Sequence, residues 1–220
     1  MRHHYSRRLV RWASAAIAAS AALAVGPVLA ASSAAASTVT AAGAISSATK
    51  FYVPPPSPGA RQQIASLAKN HDGKDAALIA EMEGIPSAVW FTSGTPAQVK
   101  QQVQQTMAAA AAQRAVPVLV AYDIPGRDCA QYSAGGALNE SAYDAWIDGL
   151  AQGIGAGHAV VILEPDALGN MPSNCGLSAS VYPFTDAQRI AELQHAVSAL
   201  GADPGASVYL DGTHSAWQSV

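Results

Sequence analysis

The chain has 220 residues, 50% of them hydrophobic and 12% charged, with 12 basic against 15 acidic side chains and a formal net charge of -3. That composition is too apolar for a disordered chain and is enough for one sizeable core. With two cysteines and no apolar run beyond the first 30 residues near the ~20 needed for a membrane helix, it excludes a membrane protein and a cysteine-rich scaffold.

Residues 1–30 read as a secretory signal: MRHHYSRRLVRW is basic, ASAAIAASAALAVGPVL is apolar, and Val28-Leu29-Ala30 supplies a cleavage site. The S-R-R-L-V at Ser6 to Val10 loosely matches a twin-arginine export signal, although an ordinary n-region reads the same way. Removal of this segment takes away Arg2, Arg7, Arg8 and Arg11 and no acid, which leaves 8 bases against 15 acids and a charge of -7. No nucleic acid is expected as a partner of so acidic a chain. In an exported protein Cys129 and Cys175 read as one disulfide. His3, His4 and Trp12 belong to the signal, not to a site.

Residues 31–50 are small and polar without an apolar period, a flexible lead-in. The folded domain is expected over 51–220, and its first stretch, FYVPPPSPGA, reads as extended chain. Residues 87–91 (SAVWF) form a short strand; Thr95 then caps a helix with Pro96 at its first position, where a missing N–H costs nothing, running to about Arg114. Residues 116–122 form the second strand. Residues 141–154 place Ala142, Trp146, Ile147, Leu150 and Ile154 at helical spacing, with Trp146 in the core. GIGAGH at 153–158 follows a helix, not a strand, so it is no nucleotide loop. Residues 160–163 are the third strand. Thr185 and Gln188 form a capping box ahead of Ile190, Leu193, Val197 and Leu200, with Gly201 as the stop, and 207–210 is the fourth strand.

Strands separated by single helices predict an α/β fold with a parallel sheet and right-handed crossovers, in which ligands bind at the carboxyl ends of the strands. Those ends carry Asp123 and Asp128, Asp166, and Asp211. Paired carboxyls suit glycosidic bonds, which need an acid for the leaving oxygen and a base or nucleophile on the opposite side. Asp166, after V-V-I-L-E-P, is expected against an apolar wall with a raised pKa; Arg127 is expected to hold Asp128 or Glu164 ionised. Strand-end carboxylates also serve as caps and metal ligands, so spacing alone leaves the role open. Ser133 lacks His and Asp partners at a recognisable spacing, against a serine hydrolase.

V-A-Y-D-I-P-G-R-D-C-A-Q-Y-S-A-G-G at 120–136, with V-I-L-E-P-D-A-L at 161–168, resembles the two active-site signatures of glycoside hydrolase family 6, the inverting cellulases. The resemblance spans roughly 88–217 and implies a distorted parallel (β/α) barrel. The family continues past the last of these strands into a segment with no counterpart here, so the barrel is expected to be incomplete. Asp166 then matches the catalytic acid, Asp128 the aspartate that tunes it, Tyr122 a ring beside the sugar at the cleavage point, and Arg127 a buttress for the carboxylates. Trp90 and Trp217 match aromatic platforms under glucose rings; Asp211 and His214 match the L-D-A-G-H-x-x-W strand end, with Gly212-Thr213 in place of Ala-Gly. Cys129 and Cys175 match the family's disulfide pair. The resemblance implies secretion, a monomer, a β-glucan or cello-oligosaccharide substrate, no metal and no cofactor. The alternative is a catalytically dead carbohydrate-binding remnant.

Overall fold

The computed structural model describes residues 45–215 and 217; the predicted signal at 1–30 and all but the end of the lead-in lie outside the described residues. Two helices come first, α1 (Pro58–Lys69) and α2 (Gly73–Glu83), packed on one another. Phe51 makes a parallel bridge to Val116, and residues 52–57 belong to no helix or strand. The expected extended stretch ends sooner than predicted, because Ser57 accepts a hydrogen bond from the Ala60 N–H and Pro58 opens α1.

The sheet follows: β1 (Val89–Phe91), β2 (Val118–Ala121), β3 (Ala159–Leu163) and β4 (Ala206–Leu210), in that spatial order with every neighbouring pair parallel. The connections are α3 (Pro96–Ala112), α4 (Glu140–Ile154) and α5 (Asp186–Gly201). Thr95 and Gln98 close a reciprocal capping box on α3, and Thr185 and Gln188 do the same on α5. Two expected boundaries shift. Arg114 has left α3 with φ +51, and Gly201 is the last residue of α5 rather than its stop, the cap being Ala202.

Register separates the two faces of the sheet. Phe91, Ala121, Leu163 and Leu210 lie in one row, Val89, Leu119, Val161 and Val208 in another, and both rows belong to the face that packs on α3, α4 and α5. Trp90, Val120, Ile162 and Tyr209 form the row on the opposite face. The core between sheet and helices includes Trp146, Tyr143, Ile147, Leu150, Leu119 and Leu163, all essentially solvent-free, each contributing about 1.5–3 kcal/mol. Tyr143, not the exposed Ala142, starts the buried face of α4. Gly149 and Gly153 let that helix approach α3: a Cβ on either would stand 2.4 Å from the Pro96 carbonyl oxygen or 2.6 Å from Val103 Cβ.

α5 is rotated relative to the expected stripe. Its buried residues are Arg189, Glu192, Leu193, Ala196 and Leu200, whereas Ile190 and Val197 stay 40% and 42% exposed. These two join Leu168 and Leu210 in an apolar groove beside β4. The stripe was misread because Arg189 and Glu192 look like surface residues until their buried partners are known.

Candidate active site

The chain leaves β2 through Tyr122 and Asp123 and turns sharply at Asp128, Cys129 and Ala130, whose φ angles are +55, +48 and +59. Left-handed backbone costs a side-chain-bearing residue about 1–2 kcal/mol, so this turn persists only because other bonds hold it. Asp128 Oδ2 accepts from the Ser133 N–H at 2.7 Å, and the Asp128 carbonyl accepts from the Gln131 N–H at 2.8 Å. Cys129 is bonded to Cys175, Cα to Cα 5.2 Å, inside the separation a disulfide requires.

Arg127 departs from expectation. Its nearest carboxylate is Asp123, 3.8 Å away, not Asp128 or Glu164. The guanidinium instead donates to the carbonyls of Thr92 (2.8 Å), Tyr122 and Ser133 (2.7 Å), and lies 4.7 Å above the centre of the Tyr122 ring. A guanidinium presents its donors in a rigid fork, and here Nε and Nη1 direct theirs to backbone carbonyls of this loop and of Thr92. Arg127 thus organises the loop that carries Asp128 rather than pairing with Asp128 itself.

β3 ends in Glu164-Pro165-Asp166, and both acids have positive φ, +47 and +67. Glu164 is fully buried, its two oxygens accepting from the N–H groups of Asp123 (3.0 Å) and Ile124 (3.2 Å). Burial pushes its carboxyl up to about 8 against the pull of those two bonds. Burial likewise raises Asp123 to about 7, with Arg127 opposing. Asp166 is the more open acid. Its carboxyl is raised by partial burial first, then by Asp211 and Asp128, the direction expected from sequence.

Asp211 follows β4, and its Oδ2 accepts from the N–H of Asp166 at 2.8 Å and of Thr213 at 3.1 Å. It therefore supports the Asp166 loop as well as standing beside it. Thr213, where the resemblance has glycine, sits at φ +65, a conformation that strains a β-branched residue. Trp217 packs over Gly169, where a Cβ would come within 2.7 Å of the indole, and it remains 52% exposed. The ring of His214 is 6.1 Å from that of Trp217. Trp90 is 54% exposed and meets Tyr122 edge to face at 5.7 Å.

The fold thus gathers Asp128, Asp166 and Asp211 with Tyr122 at the carboxyl ends of β2, β3 and β4, and keeps Trp90 and Trp217 open to solvent. Among the described residues no group of three or more His, Cys, Asp or Glu could hold a metal ion, and no helix is long and apolar enough to cross a membrane. Sequence reasoning passed over Arg189 and gave Glu164 no role of its own. Arg189 keeps step with Leu193, Ala196 and Leu200 along α5, and that spacing was the available signal.

A parallel sheet backed by helices on one face, with acids at consecutive strand ends, defines an α/β protein whose site is built by the loops after its strands. The particular family is glycosyl hydrolases family 6, to which the chain belongs: the model of that family matches residues 46–220. Endoglucanase A of Thermobispora bispora is 38% identical over 172 residues, 76% of this chain and 35% of that protein. Endoglucanase A of Cellulomonas fimi is 37% identical over 171 residues, 77% of this chain and 34% of that one. The endoglucanase Cel6 from Mycobacterium tuberculosis, solved with a methyl cellobiosyl-thio-cellobioside, superposes with a TM-score of 0.65 at 35% identity over 79% of this chain and 55% of its own. The present chain thus spans about a third of these curated relatives' length. Its four-stranded sheet is part of a family 6 α/β barrel.

Proposed function

We propose that the protein is an exported hydrolase of β-1,4-glucosidic bonds in cellulose or related β-glucans, acting with inversion and with Asp166 as the acid. The observation that carries this reading is the convergence of Asp166, at the end of β3, with Asp211 and Asp128 from the ends of the two neighbouring strands, an environment that raises the Asp166 carboxyl. A carboxyl raised in this way holds its proton more firmly than a free aspartic acid and can deliver it to the glycosidic oxygen as the C1–O bond breaks. Water then adds to C1 from the opposite face and gives up a proton to a second carboxylate, which inverts the anomeric centre. Asp128 is one of the two acids whose proximity raises the Asp166 carboxyl. Tyr122 and Arg127 fix the loop from which Asp128 projects. The open indoles of Trp90 and Trp217 suit the flat, apolar C–H faces of glucose rings, with His214 beside Trp217 and Asp211 beneath the Asp166 loop as further substrate contacts.

The test is hydrolysis of soluble cello-oligosaccharides by the 220-residue chain, alone and extended with the C-terminal part of a relative. Replacing the acid by Asp166→Asn in an active form should slow cleavage of unactivated oligosaccharide by roughly 10² to 10⁴. A cellobioside of a strongly acidic phenol, which needs no proton on leaving, should retain much of its rate. Equal losses on both substrates would remove Asp166 from the acid's role. Oligosaccharide binding without hydrolysis in either form would leave the binding-remnant reading standing instead.

A further inference from the structure

Helix α5 carries an arginine into the protein interior. Arg189 is 1% exposed, and Glu192 on the same helix lies 3.7 Å from its Nε. Its two terminal nitrogens reach two different loops. Nη2 donates to the carbonyl of Pro125 at 2.8 Å, three residues before Asp128; Nη1 donates to the carbonyls of Ala167 and Asn170, both at 3.1 Å, in the turn that starts at Asp166. That turn is closed by the Asn170 N–H on the Asp166 carbonyl at 2.8 Å. The loop after β2 is therefore held from both sides: its N–H groups at 123 and 124 by Glu164, its carbonyl at 125 by Arg189.

A buried guanidinium is a costly way to stabilise a core, since apolar residues of similar volume often serve as well or better. Its five donors in a fixed fork are, however, suited to holding several carbonyls at set positions. We infer that Arg189 is a positioning residue that locks the Asp128 loop and the Asp166 loop into one relative geometry, with Glu164 holding the N–H side of the Asp128 loop. The inference rests on the reading of Asp166 and Asp128 as the reacting carboxyls. Release of the clamp lets the two loops separate and water reach Asp166, and both effects ease its ionisation.

The direction of that change separates positioning from simple electrostatics. Deleting a nearby cation by itself raises a carboxyl's pKa, whereas loosening the loops lowers it. The groups facing Asp166 are Asp211 from beyond β4 and Asp128 and Tyr122 from beyond β2; those facing Arg189 are Glu192 and Asp186 on α5 and Tyr143 on α4, with Glu140 and Asp144 of α4 near Glu192. The experiment is an NMR titration of the Asp166 side-chain carboxyl in the full 220-residue chain, for wild type, Arg189→Met and Arg189→Lys. The midpoint should fall by about half a pH unit or more in Arg189→Met. It should fall by less in Arg189→Lys, which keeps the charge and loses the fork. If Arg189→Met does not fold, Arg189→Lys alone decides. An unchanged or raised midpoint in folded protein, with only a lower melting temperature, overturns the inference. Because the titration does not depend on turnover, a fall with no hydrolysis by either the 220-residue chain or its extended form would sink the hydrolase reading and leave the clamp intact. Hydrolysis with an unmoved midpoint would do the reverse.

Discussion

Removing the Cys129–Cys175 bond tests how the Asp128 loop is held. The cysteines are 46 residues apart, and in the chain-entropy treatment closing such a loop stabilises the native state by about 4 kcal/mol at 25 °C. A domain of this size has a total stability on the order of 5–15 kcal/mol, so the double variant Cys129→Ser/Cys175→Ser should lose a large part of it. There is a local effect as well. The turn at 128–130 has three consecutive left-handed residues whose chief covalent restraint is this bond, so the Gln131 N–H on the Asp128 carbonyl should lose protection before the sheet does. Urea unfolding of wild type and double variant gives the global figure, and amide hydrogen exchange at Gln131 the local one. A loss below about 1 kcal/mol with Gln131 still protected would refute the reasoning. The turn would then be held by its hydrogen bonds alone.

Glu164 is raised by burial, so the folded state favours its protonated form; the stabilisation is complete below the ordinary value of 4.5 and is lost as pH rises through about 8. The slope of stability against pH between 5 and 8 should accordingly flatten in Glu164→Gln, measured by urea melts at stepped pH, and an unchanged slope would assign the effect to Asp123 and Glu192. Thr213→Gly should stabilise the chain by up to about 1 kcal/mol, because it relieves a β-branched residue at φ +65; a melting temperature that drops would show that the threonine side chain contributes more than its backbone costs. Trp217→Ala should weaken cello-oligosaccharide binding by about 1–3 kcal/mol in calorimetry while leaving the circular dichroism unchanged. Unfolding with unaltered affinity per folded molecule would make Trp217 a core residue.

The repeating unit of the fold was readable because its signals are local. Thr95-Pro96 and the Thr185/Gln188 box mark helix starts by hydrogen bonds that depend on a few neighbouring residues, and V-L-V-A and A-V-V-I-L are apolar runs of strand length. α1 and α2 were not anticipated although both were marked: Ala60, Ile64 and Leu67 keep a helical period in α1, and Ser57 and Asp72 cap the two helices. The strand-end acids were legible from position alone. What was not legible is how charge is matched in space: Arg127 to Asp123 rather than Asp128, and Arg189 to carbonyls in two loops far from it in sequence. Such partners are set by crossover geometry, which a periodicity does not encode.

The double acceptance at Asp211 Oδ2 ties the exit of β4 to the loop after β3, since one oxygen takes the N–H groups of both Asp166 and Thr213. A change at position 211 therefore acts twice, once through the charge beside Asp166 and once through the backbone that carries it. The two contributions share one carboxyl oxygen, so a single substitution there reports their sum and only a double-mutant cycle with Asp166 divides it.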